Sequence, residues 1–120
     1  HIVCELMKGF KLPRHLNSDL SKQIHTLFPE TSTHLISNLQ QSLPAISLVN
    51  EISLMTAFSN DQSADLVFAQ QVLGYGQKDD ILISLSTSGN SKNVVYAAQM
   101  AKVLGLRNIS FTGESGGIFV

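Results

Sequence analysis

Apolar positions recur at two different periods along this chain. At the start, Ile2, Leu6 and Phe10 fall at helical spacing with Val3 adjoining, so "HIVCELMKGF" reads as helix, and Gly9 signals its end. "KLPRHLNSDL" is a connection broken by Pro13, and Ser18 is placed to cap a helix over "DLSKQIHTLF" that Pro29 stops. Thr31 or Ser32 caps another helix reaching about Leu39. "PAISLV" (44–49) is a short apolar run with Ile and Val and predicts a buried strand. "NEISLMTAF" (50–58) reads as helix, with Ile52, Met55 and Phe58 on one face, and "SNDQ" as a turn. "SADLVFAQQVLGYG" is helical through Leu66, Val67, Ala69, Gln70 and Leu73, and Gly74 and Gly76 end it.

"DDILISL" (79–85) predicts a second buried strand. Residues 90–104 predict a helix using Val94, Val95, Ala98, Ala101, Val103 and the stem of Lys102. Gly105 closes it, and "RNISFTG" (107–113) gives a third strand with its exit loop. From residue 44 the order is strand, helix, helix, strand, helix, strand. That order argues for an α/β domain with parallel βαβ units and helices on both sheet faces. The stretch 11–43 reads as a helical insertion outside the sheet. The closing "GGIFV" reads as the beginning of a helix.

Composition narrows the class. The chain has 120 residues and 43% apolar content, which suits one folded domain with a modest core. A net charge of −1 with no basic stripe argues against nucleic acid as the main ligand. The apolar runs are far shorter than a membrane span. The lone cysteine, Cys4, rules out an internal disulfide, fits a reducing cytoplasmic setting, and reads as a small core residue. No secretory signal is recognised. Because His1 already sits within helical pattern, the chain reads as part of a longer protein.

The chemistry concentrates in "ISLSTSGNSKNVV" (83–95). Ser86, Thr87, Ser88 and Ser91 place four hydroxyls within six residues, between a strand and a helix. A cap needs one. In open α/β sheets ligands bind beyond the carboxyl ends of strands, where a helix start offers unpaired N–H groups and a positive dipole end. With Gly89 allowing close approach, the loop has the requirements of a phosphate cradle. It lacks the Lys spacing of a P-loop, so a nucleoside triphosphate is not inferred, and no nucleophile elbow is present. "SFTGESGG" (110–117) repeats the strand-to-loop pattern, which suggests two neighbouring strand ends facing one ligand. Elsewhere, His1 and Glu5 are spaced i, i+4 on one helix face, a spacing compatible with metal ligation, an acid–base pair or a plain surface pair. Asn60 and Asp61 suit a turn. His15, His25, His34 and Lys92 read as surface residues, and Tyr75 as a packing residue.

The run "ISLSTSGNSKNVVYAAQMAKVLGLRNISFTGESGG" resembles the sugar isomerase (SIS) domain family, and within it the phosphoheptose isomerases. "HIVCELMKGF", "PAISL" and "SND" resemble the same family in the same order. The resemblance implies a flavodoxin-like, three-layer α/β/α sandwich with a parallel sheet. It implies that the chain is a single SIS domain over 1–120, lacking its first strand and its C-terminal helix. It assigns the sugar phosphate to Ser86, Thr87, Ser88 and Ser91, substrate contacts to Asn60 and Asp61, and the catalytic base to Glu5. His1 falls on a family histidine, and some members bind zinc, for which His1 and Glu5 are the candidate ligands; no cofactor is required. The implied activity is aldose–ketose isomerisation of sedoheptulose 7-phosphate, with a second acid–base group outside this chain. The implied assembly is a cytoplasmic homotetramer with shared active sites and no nucleic-acid or membrane partner. The alternative within the family is a non-catalytic phosphosugar-binding regulator or scaffold. This sequence departs from the family pattern in having no Gly-Asn-Gly-Gly-Ser loop before His1, and in the greater length of 11–43.

Overall fold

Residues 1–119 are described by a computed structural model, in two compact units, His1–Ser47 and a second beginning at Leu48. In the first unit, α1 (Ile2–Met7) is short because the chain turns to extended backbone at Lys8. The guanidinium of Arg14 lies against the carbonyls of Glu5, Leu6 and Lys8, so a cation occupies the negative end of the helix. The stretch 11–43 contains α2 (Ser18–Leu27) and α3 (Pro29–Asn38), which pack on each other with Phe28 between them. Pro29 both ends α2 and opens α3, where a missing N–H costs nothing. His25 Nδ1 meets Ser32 Oγ at 3.0 Å across this hairpin, and that serine is buried.

Helix capping differs from the sequence expectation. Asn17, not Ser18, caps α2: its Oδ1 accepts the Leu20 N–H at 2.8 Å, and Ser18 is already helical. Neither Thr31 nor Ser32 caps α3, which begins earlier. Asn17→Ala is therefore expected to cost about 1 kcal/mol in urea unfolding, and Ser18→Ala only a few tenths.

The second unit holds the sheet. After a 3-10 turn at Leu48–Asn50 come α4 (Ile52–Asp61) and, past another short turn, α5 (Val67–Tyr75). Strand β1 (Ile81–Ser86), helix α6 (Lys92–Leu104) and strand β2 (Arg107–Thr112) then form one βαβ unit with β1 and β2 parallel, Ile83 opposite Ile109 and Leu85 opposite Phe111. Gly105 ends α6 in the left-handed conformation, φ 79°, which a glycine adopts without strain. The core lies between α5, α6 and the sheet: Val72, Ala97 and Ala101, with Phe68, Leu82, Met100, Leu104 and Leu106 packed around them. The small Ala97, Ala98 and Ala101 let α6 sit close to its neighbours.

Several expectations change here. Residues 44–47 form no strand, because among the described residues they have no ladder partner, and Ile46 and Val49 are exposed. The two strands that do form are not buried on both sides. One face of the pair (Leu82, Ser84, Ser86 with Asn108, Ser110, Thr112) turns toward α6, where Asn108 donates to the Ala98 carbonyl at 3.1 Å. The other face carries Ile81, Ile83, Leu85, Ile109 and Phe111, all exposed. The helices bury Val67, Ala69, Val95, Ala98 and Ala101 as expected, but α5 adds Gln71 and Val72 in place of Leu66 and Leu73, which are exposed, and Val103 of α6 points to solvent. Tyr75 is half exposed and not packed. At the end, Gly117–Phe119 make a 3-10 turn, and Val120 of the expected helix lies outside the described residues. No helix among the described residues is long and apolar enough to cross a membrane.

Candidate anion-binding site

The parallel pairing puts the exit loops of β1 and β2 side by side, as the repeated motif predicts. The chain leaves β1 through a turn closed by Gly89 N–H donating to the Ser86 carbonyl at 3.0 Å, and enters α6 with Ser91 at the N-cap. The Ser91 hydroxyl makes no capping bond. No protein acceptor is found among the described residues for the Lys92 and Asn93 N–H groups. The start of a thirteen-residue helix thus keeps two backbone donors and its positive dipole end available.

Proton bookkeeping separates the four hydroxyls. Each has one proton to give. Ser86 is buried and donates to Ser91 Oγ at 3.1 Å, so its proton is used inside the protein. Ser91 accepts that bond and keeps its own proton. Ser88 accepts the Asn90 N–H at 3.1 Å and likewise keeps its own. The Thr87 hydroxyl has no protein partner among the described residues. Three donors therefore remain, on Thr87, Ser88 and Ser91, for the three terminal oxygens of a phosphate monoester. Ser86 Oγ is also joined to Ser91 Oγ by the bond described, a contact the bare motif does not carry.

The second loop locks the first. Gly113 donates to the Thr87 carbonyl at 2.9 Å, and the Ile118 N–H lies 3.2 Å from the Gly89 carbonyl and 3.1 Å from Asn90 Oδ1. Gly89 and Gly117 interlock at positive φ of 64° and 59°. A Cβ on Gly89 would stand 2.1 Å from the Gly116 carbonyl oxygen, and one on Gly117 2.5 Å from that of Ser88. Sequence reading valued Gly89 for ligand approach; the structure shows that its neighbour is the other loop. Beside this junction, Asn90, Lys92, Val95, Tyr96, Gln99 and Ile118 line a hollow of about 230 Å³.

The remaining candidates lie elsewhere. Asn60 and Asp61 occupy the last turn of α4 and not a separate turn, and both are exposed. Asp61 lines a shallow hollow of about 460 Å³ with Leu54, Ala57, Phe58, Gln62 and Gln70. No hydrogen bond joins either residue to the 86–91 loop. In the first unit, Glu5 is on α1 with Oε2 held by Lys8 Nζ at 3.0 Å, and His1 is the N-cap residue of the same helix. Cys4 is exposed, so it is not the core residue expected; α1 buries none of its residues.

Zinc can be tested on the donors present. A catalytic zinc takes three protein ligands, whereas His1 and Glu5 offer two. Among the described residues no group of three or more His, Cys, Asp or Glu converges. This pair does not make a zinc site on its own.

Comparison with known proteins follows the same lines. Residues 26–113 match the sequence profile of the SIS domain. A phosphoheptose isomerase of Synechocystis sp. is 49% identical over 80 residues, which are 67% of this chain and 41% of that protein. A probable phosphoheptose isomerase of Thermoplasma acidophilum is 45% identical over 116 residues, 97% of this chain and 63% of that protein. Among solved structures, a phosphoheptose isomerase from Francisella tularensis superposes with a TM-score of 0.64 at 36% identity, covering 73% of this chain and 50% of that one. One from Neisseria gonorrhoeae gives 0.64 at 32%, covering 87% and 53%. The chain thus spans 41% to 63% of the length of these curated relatives.

Proposed function

We propose that this chain, which belongs to the SIS domain family, is the phosphate-holding part of an aldose–ketose isomerase that converts sedoheptulose 7-phosphate to D-glycero-D-manno-heptose 7-phosphate. The observation that carries this reading is the 86–91 loop, with three hydroxyl protons and two helix N–H groups left over at one strand end. The names of the similar proteins, phosphoheptose isomerase and probable phosphoheptose isomerase, support a heptose phosphate as the substrate class. In this reading the phosphate is remote from the reacting carbons. Binding it positions them, and that binding energy supports the chemical step. Glu5 is the base. It takes a proton from C1 as the C1–C2 double bond forms and the C2 oxygen takes a proton from a second acid–base group, which recovers one from the C1 hydroxyl in the next step. It then returns a proton to C2 as the C1 hydroxyl becomes the aldehyde. Asn60 and Asp61 bind the sugar. We further propose a cytoplasmic homotetramer with shared active sites, of which 1–120 is one SIS domain and 11–43 a helical insertion.

The reading is tested by incubating the protein with sedoheptulose 7-phosphate in D2O and following the sugar by NMR. New aldose carrying deuterium at C2 is the expected result. Saturable binding with neither product nor exchange would replace it with the phosphosugar-sensing regulator. The double variant Ser88→Ala/Ser91→Ala removes two hydrogen bonds to a charged group, each worth about 1.5–3 kcal/mol. It is expected to weaken phosphosugar binding by about 100-fold or more, read by calorimetric titration.

A further inference from the structure

We propose that Asn90 is a positioning residue for the anion loop, an inference that rests on the phosphate reading of that loop. Asn90 is tied into both halves of the junction. Its backbone N–H donates to Ser88 Oγ at 3.1 Å, which orients one of the three free hydroxyls. Its side-chain Oδ1 accepts from the Ile118 N–H at 3.1 Å, and that same N–H also lies 3.2 Å from the Gly89 carbonyl. One donor of the β2 exit loop is thus shared between two consecutive residues of the β1 exit loop. Ser91, the next residue, is the N-cap of α6 and carries another free hydroxyl. Asn90 itself is exposed and sits on polar backbone, so it contributes nothing to the core.

This geometry assigns a division of labour. The hydroxyls of Thr87, Ser88 and Ser91 meet the anion. Asn90 holds the turn between Ser88 and Ser91 at a fixed setting by clamping it to the β2 side. Without the clamp, the two hydroxyls would be ordered at the moment of binding, and the anion would bear that entropy cost.

The experiment titrates inorganic phosphate and sedoheptulose 7-phosphate into the wild type, Asn90→Ala, Asn90→Gln and Asn90→Asp, at low and high salt, with thermal midpoints alongside. Ala lacks the acceptor, and Gln displaces it by one methylene without adding charge. Both are expected to bind about 10-fold more weakly at every salt concentration, with midpoints within a few degrees of wild type. Asp keeps an acceptor for Ile118 but places a negative charge beside the anion. Its loss is therefore expected at low salt and largely recovered at high salt, where the charge is screened. Affinities of Ala and Gln equal to wild type would overturn the proposal, as would an Asp loss that salt does not relieve. If Ala fails to fold, the Gln and Asp pair decides on the same terms. Ser88→Ala/Ser91→Ala is the reference. A wild type that binds no more tightly than this double variant would sink the phosphate reading itself, a failure distinct from loss of the Asn90 role alone.

Discussion

Glu5→Gln is expected to abolish deuterium incorporation at C2 of the heptose and to slow isomerisation by about 10²–10⁴-fold, the usual share of a positioned acid–base group. An amide of the same shape cannot accept the C1 proton, while the phosphate contacts of Ser88 and Ser91 are untouched. Affinity for the phosphosugar should therefore stay within a few-fold of wild type. The stability cost decides between loss of chemistry and loss of fold. The substitution removes one ion pair with Lys8, whose side chain is 57% exposed. Such pairs contribute about 0–1 kcal/mol, and α1 buries no residue. A variant that is folded, binds and does not exchange would support Glu5 as the base. Exchange at the wild-type rate would remove Glu5 from the mechanism and leave the loop assignment standing.

Gly89→Ala has the second large effect, and it strikes the fold and the site together. The added Cβ would lie 2.1 Å from a backbone oxygen of the other loop, at a φ of 64°. Backbone cannot yield as a flexible side chain can. The left-handed conformation costs about 1–2 kcal/mol for a side chain, and separating the loops adds the bonds of Gly113 and Ile118. A loss of about 2–4 kcal/mol is expected, seen as a drop of roughly 10 °C or more in thermal midpoint, together with loss of phosphate binding. Gly74→Ala is the control, because a Cβ there meets nothing within 4 Å and the position is helical. It should hold or raise the midpoint. A Gly89→Ala protein with wild-type stability would mean that the two loops are not interlocked as described.

Legibility followed the range of the interaction involved. The βαβ unit could be read because Ile81–Leu85, Val95–Ala101 and Ile109–Phe111 each announce their element locally, and Gly105 marks the helix end. Which strand face would be covered could not. "ILIS" is apolar at consecutive positions, and a run of that kind fits burial on both sides. Only the tertiary partner shows that Ser84 and Ser86 turn inward and Ile83 and Leu85 outward. Residues 44–49 failed for a related reason. A strand is defined by its neighbour, and an apolar run carries no record of whether one pairs with it. Asn17 and Ser18 are both good caps, and only the backbone dihedrals choose between them. In the site, the hydroxyl cluster was evident, as was the doubled glycine loop. The inward role of Ser86 was not, since strand alternation and a contact five residues away decide it. A glycine three residues beyond β1 (Gly89) and a pair four and five residues beyond β2 (Gly116–Gly117) were the available signal for the lock.

The clamp between Asn90 and Ile118 spans 28 residues of chain. Both strands, the helix between them and both exit loops therefore lie in one stretch of chain, from the start of β1 to the turn after β2. Closing a segment of that length is entropically cheap, since the cost grows only with the logarithm of its length. The parallel pairing it accompanies is nonetheless non-local and forms slowly compared with a helix or a hairpin. The loop can accordingly take its final setting only once β1 and β2 lie side by side. Phosphate present during refolding would then act on the unfolding rate and the final equilibrium and leave the folding rate unchanged.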